Sequence, residues 1–434
     1  RLAQGSVVPK YWNQSHCQLP ADVARALIDA LRDCDVAVSC PVANLRELDL
    51  FFNSFSADSY GREIAMIEKN MPFKKPLPEA VVTALRTFAQ FDQRQWFRFF
   101  VDGRFHKKYR GWRGYEENEL GSVMGMLNAY TLVFENFNIS GGLTSNYIRA
   151  LHGACMSNVS TKNRKSTPGE LRHLESGINL FRSNSTLASV TELLDQRRGD
   201  GNWIFHTDKY RRPTESFMPE EILQILKQEG RLRYRLWYPN LSEQQQKDLN
   251  EPRNLVDYYR VKHYIQMCFA QRTDAIVERY NVEIATANDD RQRLVAISRV
   301  VRDLELLHPF PDGNGRTFVA LLMNHLLLVN GFLPAILWDP NIDAELSVSE
   351  FAEEIARGIE NTLVLLADPT AILYGYSIQE ASEEEIRTFF RMSRNLTATL
   401  FTLAYGDSDH GEHSDQLYLH LTPWRLAAAS GGVW

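Results

Sequence analysis

Nine consecutive residues, His308-Pro309-Phe310-Pro311-Asp312-Gly313-Asn314-Gly315-Arg316, gather one base, one carboxylate, two glycines, an amide and a guanidinium. An imidazole titrates near neutrality and can take a proton from an attacking hydroxyl, the role open to His308. Asp312 offers the hard oxygen that Mg²⁺ needs when it bridges to phosphates. Gly313 and Gly315 allow backbone conformations and close approaches that side chains block. Asn314 either pins the loop by its amide or donates to a phosphate oxygen, and Arg316 supplies a planar, permanently charged fork. Phosphoryl-type transfer needs mainly positioning and charge stabilisation, and these residues cover both. The string predicts a nucleotide-using transferase.

The elements around the string would hold it in place. Leu294, Ile297, Val301, Leu304 and Leu307 recur at helical spacing and describe an amphipathic helix that delivers His308 into a loop. Phe318, Leu322, Leu326 and Val329 describe the next helix, stopped by Gly331 with Pro334 just beyond. A loop that feeds a helix N-terminus presents unpaired N–H groups and a positive dipole end, which together bind anions. Most of the rest also reads as helix: 22–31, 78–90, 143–156 with Thr144 or Ser145 as N-cap, 219–228, 256–272, a helix capped by Ser347 or Ser349 up to 367, and 380–405. Residues 160–169 read as a polar, basic loop, 170–184 as a short hairpin or flap, and 184–213 as a polar stretch anchored by Trp203, Ile204 and Phe205. His325, on an apolar helix, reads as a satisfied core residue.

With 434 residues, the chain is expected to form two or three units with a substantial core: an N-terminal helical region over 1–90, a catalytic domain over 91–376, and a C-terminal helix and acidic tail over 377–434. A net charge of −6 gives no basic field, which argues against nucleic acid as a partner. The aromatics and arginines of 96–116 therefore read as a packed cluster with arginines on its rim. Five cysteines, none spaced as CxxC, fit neither a disulfide framework nor a zinc site and point to a reducing compartment. The uncharged run 318–338 is interrupted by Asn324, His325, Asn330, Gly331 and Pro334, so it reads as a core helix and not a transmembrane segment. The turn-rich stretch 407–415, with His410, Glu412 and His413, reads as a solvated acidic loop. The chain opens at Arg1 without a visible signal peptide and is expected to be a piece of something longer.

The string resembles the signature of the Fic (filamentation) domain family, HPFx[D/E]GNGRxxR, with Val319 in place of the second arginine. Membership would imply an all-α bundle with the signature loop between two helices, and transfer of a nucleotide monophosphate, usually AMP from ATP, onto a protein hydroxyl. The missing arginine is the one that holds the terminal phosphate of ATP in AMP-transferring members. Further matches lie at 100–105, 111–116, 168–172, 334–335, 340–341 and 373–376, and together they resemble the phosphocholine-transferring members of the family. Those use CDP-choline and modify a hydroxyl of Rab-family small GTPases. They act as secreted bacterial effectors, cytosolic in the host after delivery. Their ankyrin repeats are not seen here, and they carry alanine where this chain has Gly313.

What the resemblance implies for single residues is as follows. His308 is the general base and Asp312 the Mg²⁺ ligand. Phe310, Gly313, Asn314, Gly315 and Arg316 bind phosphate or nucleotide. Gly169, Glu170, Leu171, Arg172 and Phe181 belong to a β-hairpin flap that clamps donor and target. The inhibitory [S/T]xxxE[G/N] helix of many members is not evident, since Ser166 and Glu170 are followed by Leu171. An enzyme that is always active, or regulated by a partner, would fit. Three readings stay open: phosphocholine transfer, AMPylation or other NMP transfer, and a nucleotide-binding scaffold without catalysis.

Overall fold

The computed structural model describes residues 77–101, 111–137, 142–159, 167–173, 177–181, 185–197, 203–206, 211–213, 217–229, 231–236, 241–250, 255–337, 339, 342–369, 371, 393 and 396–405. The helix expected at 22–31 and the acidic loop at 407–415 lie outside them. The order is α1 (Glu79–Ala89), α2 (Gly111–Asn118), α3 (Ser122–Glu135), α4 (Ser145–Met156), β1 (Gly177–Phe181), α5 (Leu187–Arg197), β2 (Trp203–His206), β3 (Arg211–Pro213), α6 (Pro219–Glu229), β4 (Arg231–Leu236) and α7 (Glu243–Asn250). Then come α8 (Leu255–Thr286), α9 (Asp290–Leu307), a π-helical segment (Arg316–Leu322), α10 (Met323–Val329) and α11 (Val348–Ala367).

The architecture is the expected helical bundle, and α9 is its central element. Every residue from 300 to 307 is buried, Arg302, Asp303 and Glu305 included. Helices α8 and α11 pack against it, as does the π segment with α10. Two polar side chains inside the helix are satisfied by distant chain: Ser298 Oγ donates to the Val348 carbonyl at 2.7 Å, and Arg302 Nε donates to the Leu346 carbonyl at 2.8 Å. The Arg302 guanidinium also lies 3.4 Å from Glu192 of α5, so one buried arginine joins three segments. The aromatic run is the packed cluster the sequence predicts: Phe88 of α1 stacks on Trp96 and meets Phe99 edge-on, while Arg98 and Arg113 lie over Phe97 and Trp112.

Caps fall where the side chains put them. Thr144 Oγ1 accepts from the Tyr147 N–H at 3.1 Å, and Ser347 forms a reciprocal capping box with Glu350. Helix α8 runs to Thr286, well past the expected end near 272, because no glycine or proline interrupts it and Thr273, Val277 and Tyr280 continue its buried face. His325 is buried, with Nδ1 2.8 Å from the Tyr147 hydroxyl and Nε2 3.3 Å from the Phe137 carbonyl. No described helix is long and apolar enough to cross a membrane.

Within 170–184 the described strand, β1, pairs antiparallel with the distant β4, Gly177 opposite Arg235 and Phe181 opposite Arg231, in a sheet of order β1-β4-β2-β3. Helices α5 and α6 separate the paired strands in sequence, so no turn signal announces the pairing.

Two helices cross closely where the site is built. The chain enters α3 through Gly121, at φ 90°, and the Glu116 carboxylate accepts from the N–H groups of Gly121 and Val123 at 2.6 and 2.8 Å. A Cβ on Gly121 would stand 1.8 Å from the Asn158 carbonyl oxygen, just past α4. The Gly121→Ala protein is therefore expected to lose on the order of 3 kcal/mol in urea unfolding, from left-handed strain and overpacking together. A loss below about 0.5 kcal/mol, the range of an ordinary surface change, would contradict this packing.

Candidate functional site

The loop between α9 and the π segment is held by its own sequence. Pro309 disfavours helical backbone at the residue before it, so α9 stops at Leu307. His308 caps it in the left-handed region, φ 50° and ψ 56°, with its N–H still bonded to the Leu304 carbonyl at 2.9 Å. Among the described residues it is the only non-glycine with positive φ. That conformation costs an L-residue roughly 1–2 kcal/mol, so neighbouring contacts must hold it.

Those contacts come from above and below. The Asn314 side chain takes both polar groups of Phe310, accepting from its N–H at 3.0 Å and donating to its carbonyl at 2.9 Å. Of the two roles open to Asn314, pinning the loop is the one seen. Phe310 is wholly buried, its ring stacked on His152 at 3.8 Å; it anchors the loop and presents no surface to a donor. Gly313 takes φ 72°, which favours glycine, and its carbonyl accepts from the Thr317 hydroxyl and N–H. A Cβ there would also meet the Met156 sulphur at 2.5 Å.

Helix begins again at Asn314 and passes at once into the π segment, a form that recurs at functional sites. Its first N–H groups have no intrahelical acceptors and point out of the helix start, the arrangement that binds anions. Gly315 has nothing within 4 Å of its Cβ position, so open space lies over this turn. Arg316 is 8% exposed and held by Ser122 Oγ at 3.1 Å and Glu119 at 3.0 Å, with the Asp312 carboxylate 4.0 Å away. Burial works against its charge, but Tyr115, Glu119, Cys155 and Asp312 raise its pKa above the usual value. Asp312 accepts from its neighbour Gly313 N–H at 2.8 Å and remains partly open.

His308 is 22% exposed, with Nδ1 3.7 Å from Glu305 one turn back. Glu305 is pushed well above the usual carboxylate range by burial and then by Asp343.

Two groups of residues complete the site. Gly169, Glu170, Leu171 and Arg172 lie against the loop as a strap and not in a hairpin. Glu170 pairs with Lys262 of α8 at 2.5 Å, and Gln266 donates to Glu170 and to the Leu171 carbonyl. Arg172 is buried, donating to the carbonyls of Leu307 and Pro309. Phe181 ends β1, paired with Arg231. The second group is absent from the sequence reading: His152, Ser122 and Glu119. His152 Nδ1 accepts from the Gly169 N–H at 2.9 Å, which leaves Nε2–H to donate to the Asp312 carbonyl at 3.0 Å. It joins strap to loop, and burial lowers its pKa to about 3. Its sequence signal was slight, a histidine one place beyond an apolar stripe.

The described geometry thus defines a helical bundle whose central helix hands a histidine to a glycine-bearing turn at the next helix start. No known family's sequence profile matches the chain. It is similar to the phosphocholine transferase AnkX of Legionella pneumophila, with 30% identity over 305 residues, which is 66% of this chain. The chain spans about 30% of the length of that protein.

Proposed function

We propose that this chain carries a Fic-type transferase domain that moves phosphocholine from CDP-choline onto a Ser, Thr or Tyr hydroxyl of a target protein, with a Rab-family small GTPase as the first acceptor to test. The observation that carries the reading is the pairing of His308, in its left-handed turn, with the open helix start at Gly315 and the buried fork of Arg316. Similarity to a phosphocholine transferase over 66% of the chain supports the donor. In this reading the target oxygen attacks the choline-side phosphorus, an O–P bond forms, the bond to the bridging oxygen breaks and CMP leaves. His308 takes the hydroxyl proton, while the N–H groups of the helix start and Arg316 face the growing charge.

A divalent ion fits these residues without a cage. Among the described residues no cluster of three acidic, His or Cys side chains could hold a metal, but Mg²⁺ commonly uses one carboxylate with phosphates and waters. Asp312 is the residue that would hold it, and the ion would neutralise charge on the donor's phosphates.

Transfer of AMP or another NMP by the same residues is the second reading, favoured by Gly313, which matches AMP-transferring members. Against it, Val319 is buried in the core and puts no guanidinium where a third phosphate would be held. Chromatography of the nucleotide released separates the two. With Mg²⁺ and small GTPases, CMP from CDP-choline is expected; AMP-transfer products from ATP, with none from CDP-choline, would replace the first reading by the second. Binding of a donor without release from CDP-choline, ATP, UTP, CTP or GTP would leave the scaffold.

Gly315 tests the anion site separately from the fold. It has helical φ and ψ and an unobstructed Cβ direction, so Gly315→Leu should fold with unchanged stability. Calorimetric titration with CDP-choline should show affinity reduced at least about tenfold, a cost of 1.4 kcal/mol. Undiminished affinity would move the phosphates away from this turn.

A further inference from the structure

Something must keep His308 in a backbone conformation that L-residues avoid. The carbonyls on either side of it are both claimed by one residue. The Arg172 guanidinium donates through Nη2 to the Leu307 carbonyl at 3.1 Å, and the Arg172 backbone N–H donates to the Pro309 carbonyl at 2.8 Å. Leu307 ends α9, so its carbonyl belongs to the last turn, which lacks intrahelical donors and carries the negative end of the dipole. A buried cation is well matched to that carbonyl.

Arg172 is itself fixed. Its side chain is 2% exposed, and its guanidinium lies over the Phe269 ring at 4.6 Å. The residues before it are tied down one by one. Arg149 Nε donates to the Gly169 carbonyl, Lys262 pairs with Glu170, and Gln266 holds the Leu171 carbonyl. The strap is thus a rigid mount from α4 and α8, and Arg172 is the point at which it grips the histidine turn.

We propose that Arg172 is a positioning residue for His308: it holds the carbonyls of Leu307 and Pro309 and so fixes the left-handed turn on which the imidazole stands. It touches neither donor nor target, and acts through backbone. The kinetic part of this inference rests on the transferase reading, and the structural part does not.

The test uses two variants of the full chain, each checked for thermal unfolding and for donor-binding stoichiometry. Arg172→Met keeps the stem against Phe269 and removes the guanidinium. Arg172→Lys keeps the charge but lacks the fork. Arg172→Met is expected to lower kcat about 10²-fold, the scale of an ångström of misplacement, with KM for the donor and the stoichiometry unchanged. Arg172→Lys should fall between it and the wild type. In a crystal structure of Arg172→Met, His308 should leave positive φ. Wild-type kcat in folded Arg172→Met, or His308 still at positive φ in its crystal structure, overturns the proposal. Should Arg172→Met not fold, Arg172→Lys decides: reduced kcat at full stoichiometry supports the proposal, and wild-type kcat overturns it. Should the wild type transfer from no donor, the transferase reading fails, and the crystal structure still decides for or against Arg172.

Discussion

His308→Ala is expected to lower transfer about 10²–10⁴-fold, the range a positioned general base contributes, while donor affinity and stability stay near wild type. The asymmetry follows from what each residue holds. The anion is faced by the helix start around Gly315 and by Arg316, and neither depends on the imidazole. The loop is pinned by Asn314, His152 and Arg172, again without it. The His308 Nδ1 stands 3.7 Å from Glu305, too long for a hydrogen bond. The expected signature is a collapse of kcat with the dissociation constant of CDP-choline unchanged by calorimetry. A variant that keeps more than about a tenth of the wild-type rate would show that the proton goes elsewhere, because a tenfold loss is only 1.4 kcal/mol of barrier.

Stability is expected to fall as pH drops below about 6.5. Burial lowers the pKa of His152 to about 3 and of His325 to about 4, so both are neutral in the folded protein and take up protons only on unfolding below the ordinary histidine value. For these groups the unfolded state binds more protons, and stability falls as pH drops below about 6.5. Glu305 has the opposite sign. Its raised pKa means that the folded state holds a proton the unfolded chain has lost above about 4.5, so its contribution declines as pH rises towards its folded pKa. Between pH 5 and 6.5 the two histidines contribute on the order of 4 kcal/mol, at 1.36 kcal/mol per unit, and Glu305 works against them. Above pH 6.5 the contribution of the histidines is level. Urea unfolding from pH 5 to 8 should trace this curve, and Glu305→Gln should steepen its rise between pH 5 and 6.5. A curve level between pH 5 and 6.5 would mean that the histidines are not held neutral. Acid should reach activity too: His152 Nδ1 accepts from the strap, and a protonated ring would meet the Gly169 N–H with a second donor.

What the sequence made legible was local. Thr144 and Ser347 as caps, and the apolar stripe of α9 with the turn that ends it, can all be read because each signal spans a few residues. What stayed hidden was set by partners far along the chain. The alternating Arg231-Leu232-Arg233-Tyr234-Arg235-Leu236 is a strand pattern, yet its partner β1 is fifty or more residues away with two helices between. The resemblance puts Phe310 among the residues that bind phosphate or nucleotide; the packing shows its ring sealed against His152. The resemblance likewise puts Arg172 in a flap that clamps donor and target; its guanidinium donates to the Leu307 carbonyl beside the histidine turn. Ser122 and Glu119 gave no signal at all, since nothing in their own segment asks for Arg316.

The most direct measurement of the central claim is the intact mass of a Rab-family small GTPase after incubation with this protein, Mg²⁺ and CDP-choline, beside the same reaction with His308→Ala. One phosphocholine increment on the GTPase with the wild type, and none with the variant, is the result expected. An increment of a nucleotide monophosphate from ATP, with none from CDP-choline, would contradict it, as would an equal phosphocholine increment with the variant.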